Sequence, residues 1–177
     1  MDISLKTRRI RLAVFDVDGV LTDGRLYYSE AGEAMKAFDV RDGMGLKLLQ
    51  DAGIELAIIT SRRAPSVRLR AADLGIVRVL QGVAAKRAAF DQMLTDMGIT
   101  ADEAAFMGDD LVDLPVFRCC GFAATVPAAP ALLKRHADYV TRAAGGRGAV
   151  REFCEVMLHG RGTLAAQTCR FLGAATQ

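Results

Sequence analysis

Short apolar runs alternate along the chain with segments in which apolar residues recur every three or four positions. The runs are rich in β-formers and predict buried strands, whereas the three- and four-residue spacing is typical of helices that face a core. Such alternation predicts an α/β fold, a parallel sheet with helices on both faces. The predicted strands are 12–17, 54–60, 77–80, 104–108, 121–126 and 138–141, and the predicted helices are 43–52, 64–74, 84–97 and 129–136.

Turn residues support these boundaries. Gly53, Gly75 and Gly98 each follow a predicted helix at the position where a left-handed cap is favoured. Thr100 and Glu103 have the spacing of a capping box.

Two segments depart from this alternation. Residues 24–38 predict two short extended arms around a turn at 29–33, which we interpret as a β-hairpin inserted into the fold. An alternative is that this hairpin folds back on its own sheet. From about residue 160 to residue 177 the periodicity is weak, which predicts a mobile or partner-bound C-terminal tail.

Length and charge narrow the possible functions. The 177 residues fit a single domain, and 23 basic against 21 acidic residues give a net charge of +2 without a basic stripe. We therefore expect no nucleic-acid partner. The chain has no apolar signal region and no run long enough to span a membrane, so the expected location is the cytoplasm. The four cysteines lack metal-site spacing, and we expect reduced thiols and no zinc.

The strongest chemical signal is a pair of carboxylates where the first strand ends. Asp16 and Asp18 flank Val17 and precede Gly19. In doubly wound sheets, ligands bind at the carboxyl edge of the strands, near helix N-termini that attract anions. Asp16 is ionised at neutral pH and could attack phosphorus, and Asp18 could protonate the leaving oxygen and deprotonate water.

Two less informative interpretations compete with this one. An EF-hand loop also begins Asp-x-Asp, but it needs an oxygen ligand and then glycine where this chain has Val20 and Leu21. The other alternative, two solvated acids at a strand end, is weakened because three further elements follow in order.

Those elements are a hydroxyl, a lysine and a second acidic cluster. Thr60 closes the second predicted strand and could bind a phosphate oxygen, although alone it resembles a helix N-cap. Lys86 begins a helix and could neutralise Asp16, although a lone lysine there is usually solvated surface. Asp109 follows another strand, with Asp110 and Asp113 beside it, and suits a hard cation.

In this order the residues resemble the four motifs of the haloacid dehalogenase-like hydrolase superfamily. The resemblance implies a Rossmann-like fold and catalytic roles for Asp16, Asp18, Thr60 and Lys86. It further implies Mg²⁺ held by the Asp16 carboxylate, the Asp18 backbone carbonyl and Asp109, with Asp110 and Asp113 in support.

A narrower resemblance covers about residues 10–158. The segments 39–43, 81–82, 108–115 and 145–152 are similar to those of 3-deoxy-D-manno-octulosonate 8-phosphate phosphatases. Ser61 departs from the glycine usual in that family, and the tail after Gly160 does not align. The resemblance implies that the substrate, a sugar acid phosphate, is bound by Asp18, Asp39, Val40, Arg41, Asp42, Gly43, Lys47, Arg62, Arg70 and Lys86.

The resulting expectation is a phosphatase without a separate cap domain. Neither gap between the motifs has room for a cap, since the first holds the hairpin and one helix and the second holds one helix and one strand. The apolar hairpin residues Leu26, Tyr27 and Tyr28 favour a homo-oligomer, a tetramer, whose neighbouring chains close the site. The alternatives are a phosphatase for a sialic-acid-like 9-phosphate sugar, its non-catalytic relative, and a phosphoaspartate receiver domain of bacterial signalling.

Overall fold

A computed structural model describes residues 3–173, and its main sheet is wholly parallel. Within these residues the sheet has the strand order β5-β4-β1-β6-β7-β8, and a separate antiparallel pair is formed by β2 and β3. The strands are β1 (Leu12–Phe15), β2 (Tyr27–Ser29), β3 (Gly32–Met35), β4 (Glu55–Thr60), β5 (Arg78–Gln81), β6 (Ala104–Met107), β7 (Phe122–Thr125) and β8 (Tyr139–Val140).

Helices cover both faces of this sheet. All four β1 residues are fully buried although successive side chains point to opposite faces. Phe15 meets Phe153 edge-on at 5.4 Å on one face, and Phe106 meets Phe90 at 6.1 Å on the other. The helices are α1 (Ile3–Thr7), α2 (Val40–Asp51), α3 (Pro65–Leu74), α4 (Lys86–Met97), α5 (Leu114–Phe117), α6 (Ala131–Lys134), α7 (Ala149–Gly160) and α8 (Leu164–Cys169).

The predicted α/β fold and its hairpin insertion are confirmed. The hairpin consists of β2 and β3, and its strands pair with each other and not with the main sheet. The alternative, a hairpin folded back on its own sheet, concerns packing and not strand pairing, so it stays a prediction. Three single-residue predictions also hold, because Gly53, Gly75 and Gly98 adopt left-handed φ values of 79°, 71° and 62° after their helices.

Some boundaries differ from the prediction. Helix α2 begins at Val40, three residues earlier than expected, because the Asp39 side chain accepts a hydrogen bond from Arg41 N and caps the helix. The tail beyond residue 160 includes α8, and residues 174–177 of the tail lie outside the described residues. No helix within residues 3–173 has both the length and the apolar character that a membrane span requires.

Helix α7 was not predicted, although its sequence carries the signal. Val150, Phe153, Cys154 and Met157 recur at helical spacing, and all four are fully buried. Its start is less obvious, because Gly148 has no side chain with which to cap it.

A carboxylate from another helix caps α7 instead. Asp42 in α2 accepts a hydrogen bond from Arg151 N at 2.8 Å, in the first turn of α7. Only 2% of Asp42 is exposed. Burial raises the pKa of Asp42 to about 6, against the opposing hydrogen bond from Arg151 N.

We predict that Asp42→Ala lowers the free energy of unfolding by about 1–2 kcal/mol, since α7 loses its cap. Asp42→Asn retains an acceptor and should lose less. The pKa of Asp42 is higher in the folded protein than in the unfolded chain. The stability that Asp42 contributes to the wild type therefore falls as pH rises from about 3.8 to about 6. Chemical denaturation at about pH 4.5 and about pH 7 should show the Asn variant gaining on wild type at the higher pH. Identical pH dependence of the two proteins would contradict this assignment.

Candidate active site

A buried lysine joins two of the predicted acids. Lys86, the first residue of α4, is 2% exposed, and its Nζ lies 2.6 Å from Asp113 Oδ1 and 3.0 Å from Asp16 Oδ1. Burial alone would lower the pKa of this ammonium, but Asp16 and Asp113 raise it above its ordinary value. Burial raises the pKa of Asp16, and Lys86 opposes that change. The solvated alternative for Lys86 is therefore wrong.

The turn after β6 presents Asp109 to the same place. Asp113 Oδ2 accepts hydrogen bonds from the backbone N–H groups of Asp109 and Asp110, at 3.0 and 3.2 Å, and so fixes the turn. Burial first, and then the neighbouring carboxylates of Asp16, Asp113 and Asp110, raise the pKa of Asp109 to about 7. Oxygens of Asp16, Asp109 and Asp113 lie within 4.8 Å of one another. Such crowded acids favour a bound cation.

Asp18 lies on a tight turn, residues Val17–Leu21, directly after β1. Gly19 has a φ of 85°, which is strained for any residue with a side chain. The loop before α7 supports this turn from behind, where Gly146 N donates to Val20 O at 2.9 Å. A Cβ on Gly145 would lie 1.8 Å from Gly19 O, so only glycine fits there.

The ends of β1, β4 and β6 surround a cavity of about 210 Å³. Thr60, at the end of β4, is 2% exposed, and its Oγ1 accepts a weak hydrogen bond from Arg62 N at 3.4 Å. It does not cap α3, whose N-cap is Ala64. The lining consists of Asp16, Asp18, Gly24, Thr60, Ser61, Arg62, Lys86, Asp109, Asp110 and Val112.

A larger cavity, of about 440 Å³, lies between α1, α7 and α8. Among its lining residues, Glu152 is already engaged by Tyr139 and by the backbone N–H groups of Arg142 and Ala143. We assign the chemistry to the smaller cavity, because only there do the described carboxylates face one another beside a buried cation.

The structure brings five predicted chemical residues together and leaves most predicted substrate residues elsewhere. Asp16, Asp18, Thr60, Lys86 and Asp109 line the cavity, and so does Arg62. The predicted substrate residues that do not line it are Asp39, Val40, Arg41, Asp42, Gly43, Lys47 and Arg70.

Several of those outlying residues make contacts within the fold. Lys47 Nζ donates to Leu74 O at 2.7 Å, at the end of α3. Arg70 Nη2 donates to Asp39 O at 3.3 Å, and Arg41 forms an ion pair with Asp39 at 2.7 Å. Their predicted role in substrate binding stays a prediction.

Two residues of the hairpin reach the site, and sequence reasoning did not identify either of them as a site residue. Lys36 follows β3 and forms an ion pair with Asp18. Tyr28 in β2 accepts a hydrogen bond from Arg62 at 3.1 Å. Neither has a spacing signal in the sequence, because a hairpin's orientation over a sheet is set by its tertiary contacts.

Comparison with known proteins agrees with this geometry. The sequence model of the haloacid dehalogenase-like hydrolase family matches residues 71–153. The 3-deoxy-D-manno-octulosonate 8-phosphate phosphatase KdsC of Escherichia coli strain B is 47% identical over 163 residues, which cover 92% of this chain and 87% of the relative. This chain belongs to the 3-deoxy-D-manno-octulosonate 8-phosphate phosphatase family. The KdsC of Haemophilus influenzae is another member, at 44% identity over 89% of this chain and 87% of its own.

Solved structures extend the family resemblance to three dimensions. A probable phosphatase from Pseudomonas syringae superposes with a TM-score of 0.95 at 43% identity, covering 98% of each chain. The octulosonate phosphatase of Moraxella catarrhalis, solved with a magnesium ion, a phosphate ion and a KDO molecule, gives 0.93 at 41% identity and covers 96% of this chain and 97% of that one. Phosphatases of this family, and not receiver domains, are thus the favoured comparison.

We predict that Gly145→Ala slows hydrolysis of the alkyl ester propyl phosphate by roughly tenfold or more, because the added methyl displaces the turn that carries Asp18. Gly53→Ala is the matched control, since a Cβ there meets nothing within 4 Å and only its left-handed φ is strained. The control should lose about 1 kcal/mol of stability without losing turnover. Full activity of Gly145→Ala would show that the turn tolerates displacement.

Proposed function

We propose that this protein hydrolyses a phosphate monoester by nucleophilic attack of Asp16 on phosphorus. The observation that carries the proposal is the Asp16 carboxylate at the end of β1, 3.0 Å from the buried Lys86 ammonium and open to the cavity. Attack forms a bond between an Asp16 oxygen and phosphorus, breaks the bond to the leaving oxygen, and gives an aspartyl-phosphate. Water then releases inorganic phosphate and restores Asp16.

Asp18 is the proton carrier in this proposal. It donates a proton to the leaving oxygen in the first step and accepts one from water in the second. Thr60 offers its hydroxyl to a phosphate oxygen from the end of β4, and the Lys86 ammonium offsets charge on the transferring group. Both residues line the cavity with Asp16 and Asp18.

The donor set at this edge of the sheet fits Mg²⁺, which prefers oxygen ligands. The Asp16 carboxylate, the Asp18 backbone carbonyl and the Asp109 carboxylate would hold it. Asp113 is committed to Lys86 through one oxygen and to two backbone N–H groups through the other, so we assign it a supporting role. When bound, Mg²⁺ would neutralise phosphate charge and orient the group for in-line attack.

The proposed substrate is 3-deoxy-D-manno-octulosonate 8-phosphate, which is hydrolysed to the free sugar acid and phosphate in lipopolysaccharide precursor synthesis. This assignment rests on the family and on charge, because the carboxylate and the phosphate of this substrate each suit a cationic side chain. Arg62 lines the cavity and can form a charge-assisted hydrogen bond to one end. We propose that residues 39–43, Lys47 and Arg70 act on the part of the substrate outside the cavity.

The test is phosphate release from a panel of phosphorylated sugar acids, with and without Mg²⁺. We expect the octulosonate 8-phosphate to give the highest kcat/KM, with loss of turnover in chelator and recovery on adding Mg²⁺. Asp16→Asn, whose amide cannot attack phosphorus, should lose turnover by a factor of about 10³ or more.

Other outcomes would redirect the proposal. A preference for a sialic-acid-like 9-phosphate would change the substrate and keep the chemistry. Activity of Asp16→Asn within tenfold of wild type would refute the nucleophile assignment.

We also propose that the working enzyme is a homotetramer of single hydrolase domains, each spanning residues 1–177. The hairpin region leaves large apolar residues exposed, among them Tyr28 at 65% and Met35 at 61%, and Val40 at the start of α2 is 78% exposed. Apolar surface grouped in this way is typical of interfaces. Neighbouring chains would then exclude water from an otherwise open site.

Tyr27→Glu tests the assembly, because a carboxylate in an apolar interface is costly to bury. Sedimentation at micromolar concentration should show a tetramer for wild type and smaller species for the variant, with weaker substrate affinity. Leu5→Glu is a control on an exposed residue of α1 and should leave the assembly intact. A fully active wild-type monomer would defeat the proposal.

The proposed location is the cytoplasm. The four cysteines of the described region are free thiols, which is typical of proteins in reducing compartments.

A further inference from the structure

The hairpin buries a lysine against the catalytic pair. Met35, the last residue of β3, is 61% exposed, whereas the side chain of the next residue, Lys36, is 1% exposed. Lysine is almost never fully buried unless it is paired. Here its Nζ donates a hydrogen bond to Asp18 Oδ1, which lies 18 positions away in the sequence. This contact is therefore specific to the fold and not a by-product of local sequence.

The catalytic carboxylates are each accompanied by a buried ammonium, but the two lysines come from different parts of the fold. Lys86 approaches Asp16 from the start of α4, inside the core. Lys36 approaches Asp18 from the hairpin, outside the main sheet. The other oxygen of Asp18, Oδ2, lies 3.9 Å from Arg62 Nε. Two cations thus flank the Asp18 carboxylate.

Asp18 needs such an external partner. It follows β1 on a turn in which Asp18 and Gly19 have non-helical backbone angles, so no regular element orients its side chain. Its side chain is 19% exposed, more than that of Asp16 at 8%. A side chain that must reach the leaving oxygen loses most of its effect when displaced by about 1 Å. An ion pair from a buried lysine restricts its rotamers.

We propose that Lys36 is a positioning residue of this phosphatase, which holds the Asp18 carboxylate where it can serve the leaving oxygen. The proposal deepens, and rests on, the proposed function of Asp18 as proton carrier. It gives the hairpin a role inside its own chain in addition to any role in assembly. Tyr28, through its contact with Arg62, attaches the other hairpin strand to the same place.

The test compares leaving groups that differ in their need for a proton. Alkoxide leaving groups require protonation, whereas 4-nitrophenolate departs without it. kcat/KM reports the steps up to loss of the leaving group, so it isolates this contribution. The substrates are the octulosonate 8-phosphate, the plain alkyl ester propyl phosphate and 4-nitrophenyl phosphate.

We expect Lys36→Met to lower kcat/KM at least about tenfold for both alkyl esters and less than about threefold for the aryl ester. Lys36→Arg, which retains the cation, should recover part of the loss. Lys6→Met is the matched control. Lys6 also forms an ion pair, with Asp138 at 2.6 Å, but neither residue lines the cavity. It should change none of the three rates.

Three outcomes would overturn the assignment. Equal losses on all three esters would indicate that Lys36 only stabilises the hairpin, and a loss confined to the sugar acid would make it a substrate contact. Unchanged rates would make it a bystander. A crystal structure of Lys36→Met gives an independent readout, because the proposal requires a displaced Asp18 carboxylate even if the octulosonate ester proves not to be the substrate.

Discussion

The rest of the site depends on the ion pairs made by the buried ammonium of Lys86. A charge in the interior is costly unless it is paired, and this one lies between Asp16 and Asp113. The pairing fixes the start of α4 against the end of β1 and against the turn that follows β6. The second oxygen of Asp113 accepts a hydrogen bond from Asp109 N and so holds Asp109 in place. One cation thereby sets the relative positions of Asp16, the proposed nucleophile, and Asp109, the acid proposed to bind metal.

Most of the sheet could be predicted because its central strands β1, β4, β6 and β7 are largely apolar runs, and because glycines mark the ends of helices between strands. Gly75 illustrates this, since its φ of 71° ends α3 where the sequence predicts. Helix α7 was missed although its spacing is regular. Its cap comes from Asp42, 109 positions from the Arg151 N–H that it accepts from, and such a cap is invisible to local analysis.

The convergence of Asp16, Thr60 and Asp109 could be predicted for a topological reason. Parallel strands bring their carboxyl ends to one edge, so residues that follow different strands become neighbours. Lys36 obeys no such rule, because the position of a hairpin relative to the sheet depends on contacts made after both have formed. Lys47 in α2 differs again. Its charge suits a substrate, but its Nζ donates a hydrogen bond to Leu74 O, a contact that the sequence does not reveal.

The separateness of the hairpin has a consequence for how such an enzyme can diverge. Its two strands bond to each other and not to the six-stranded sheet, so substitutions at the turn around Glu30 leave the main ladder untouched. Changes in the hairpin can therefore alter what it contacts without disturbing the hydrogen bonds of the sheet. A laboratory evolution library confined to residues 24–35 would vary the surface beside the site while sparing the core, provided that Tyr28 is kept.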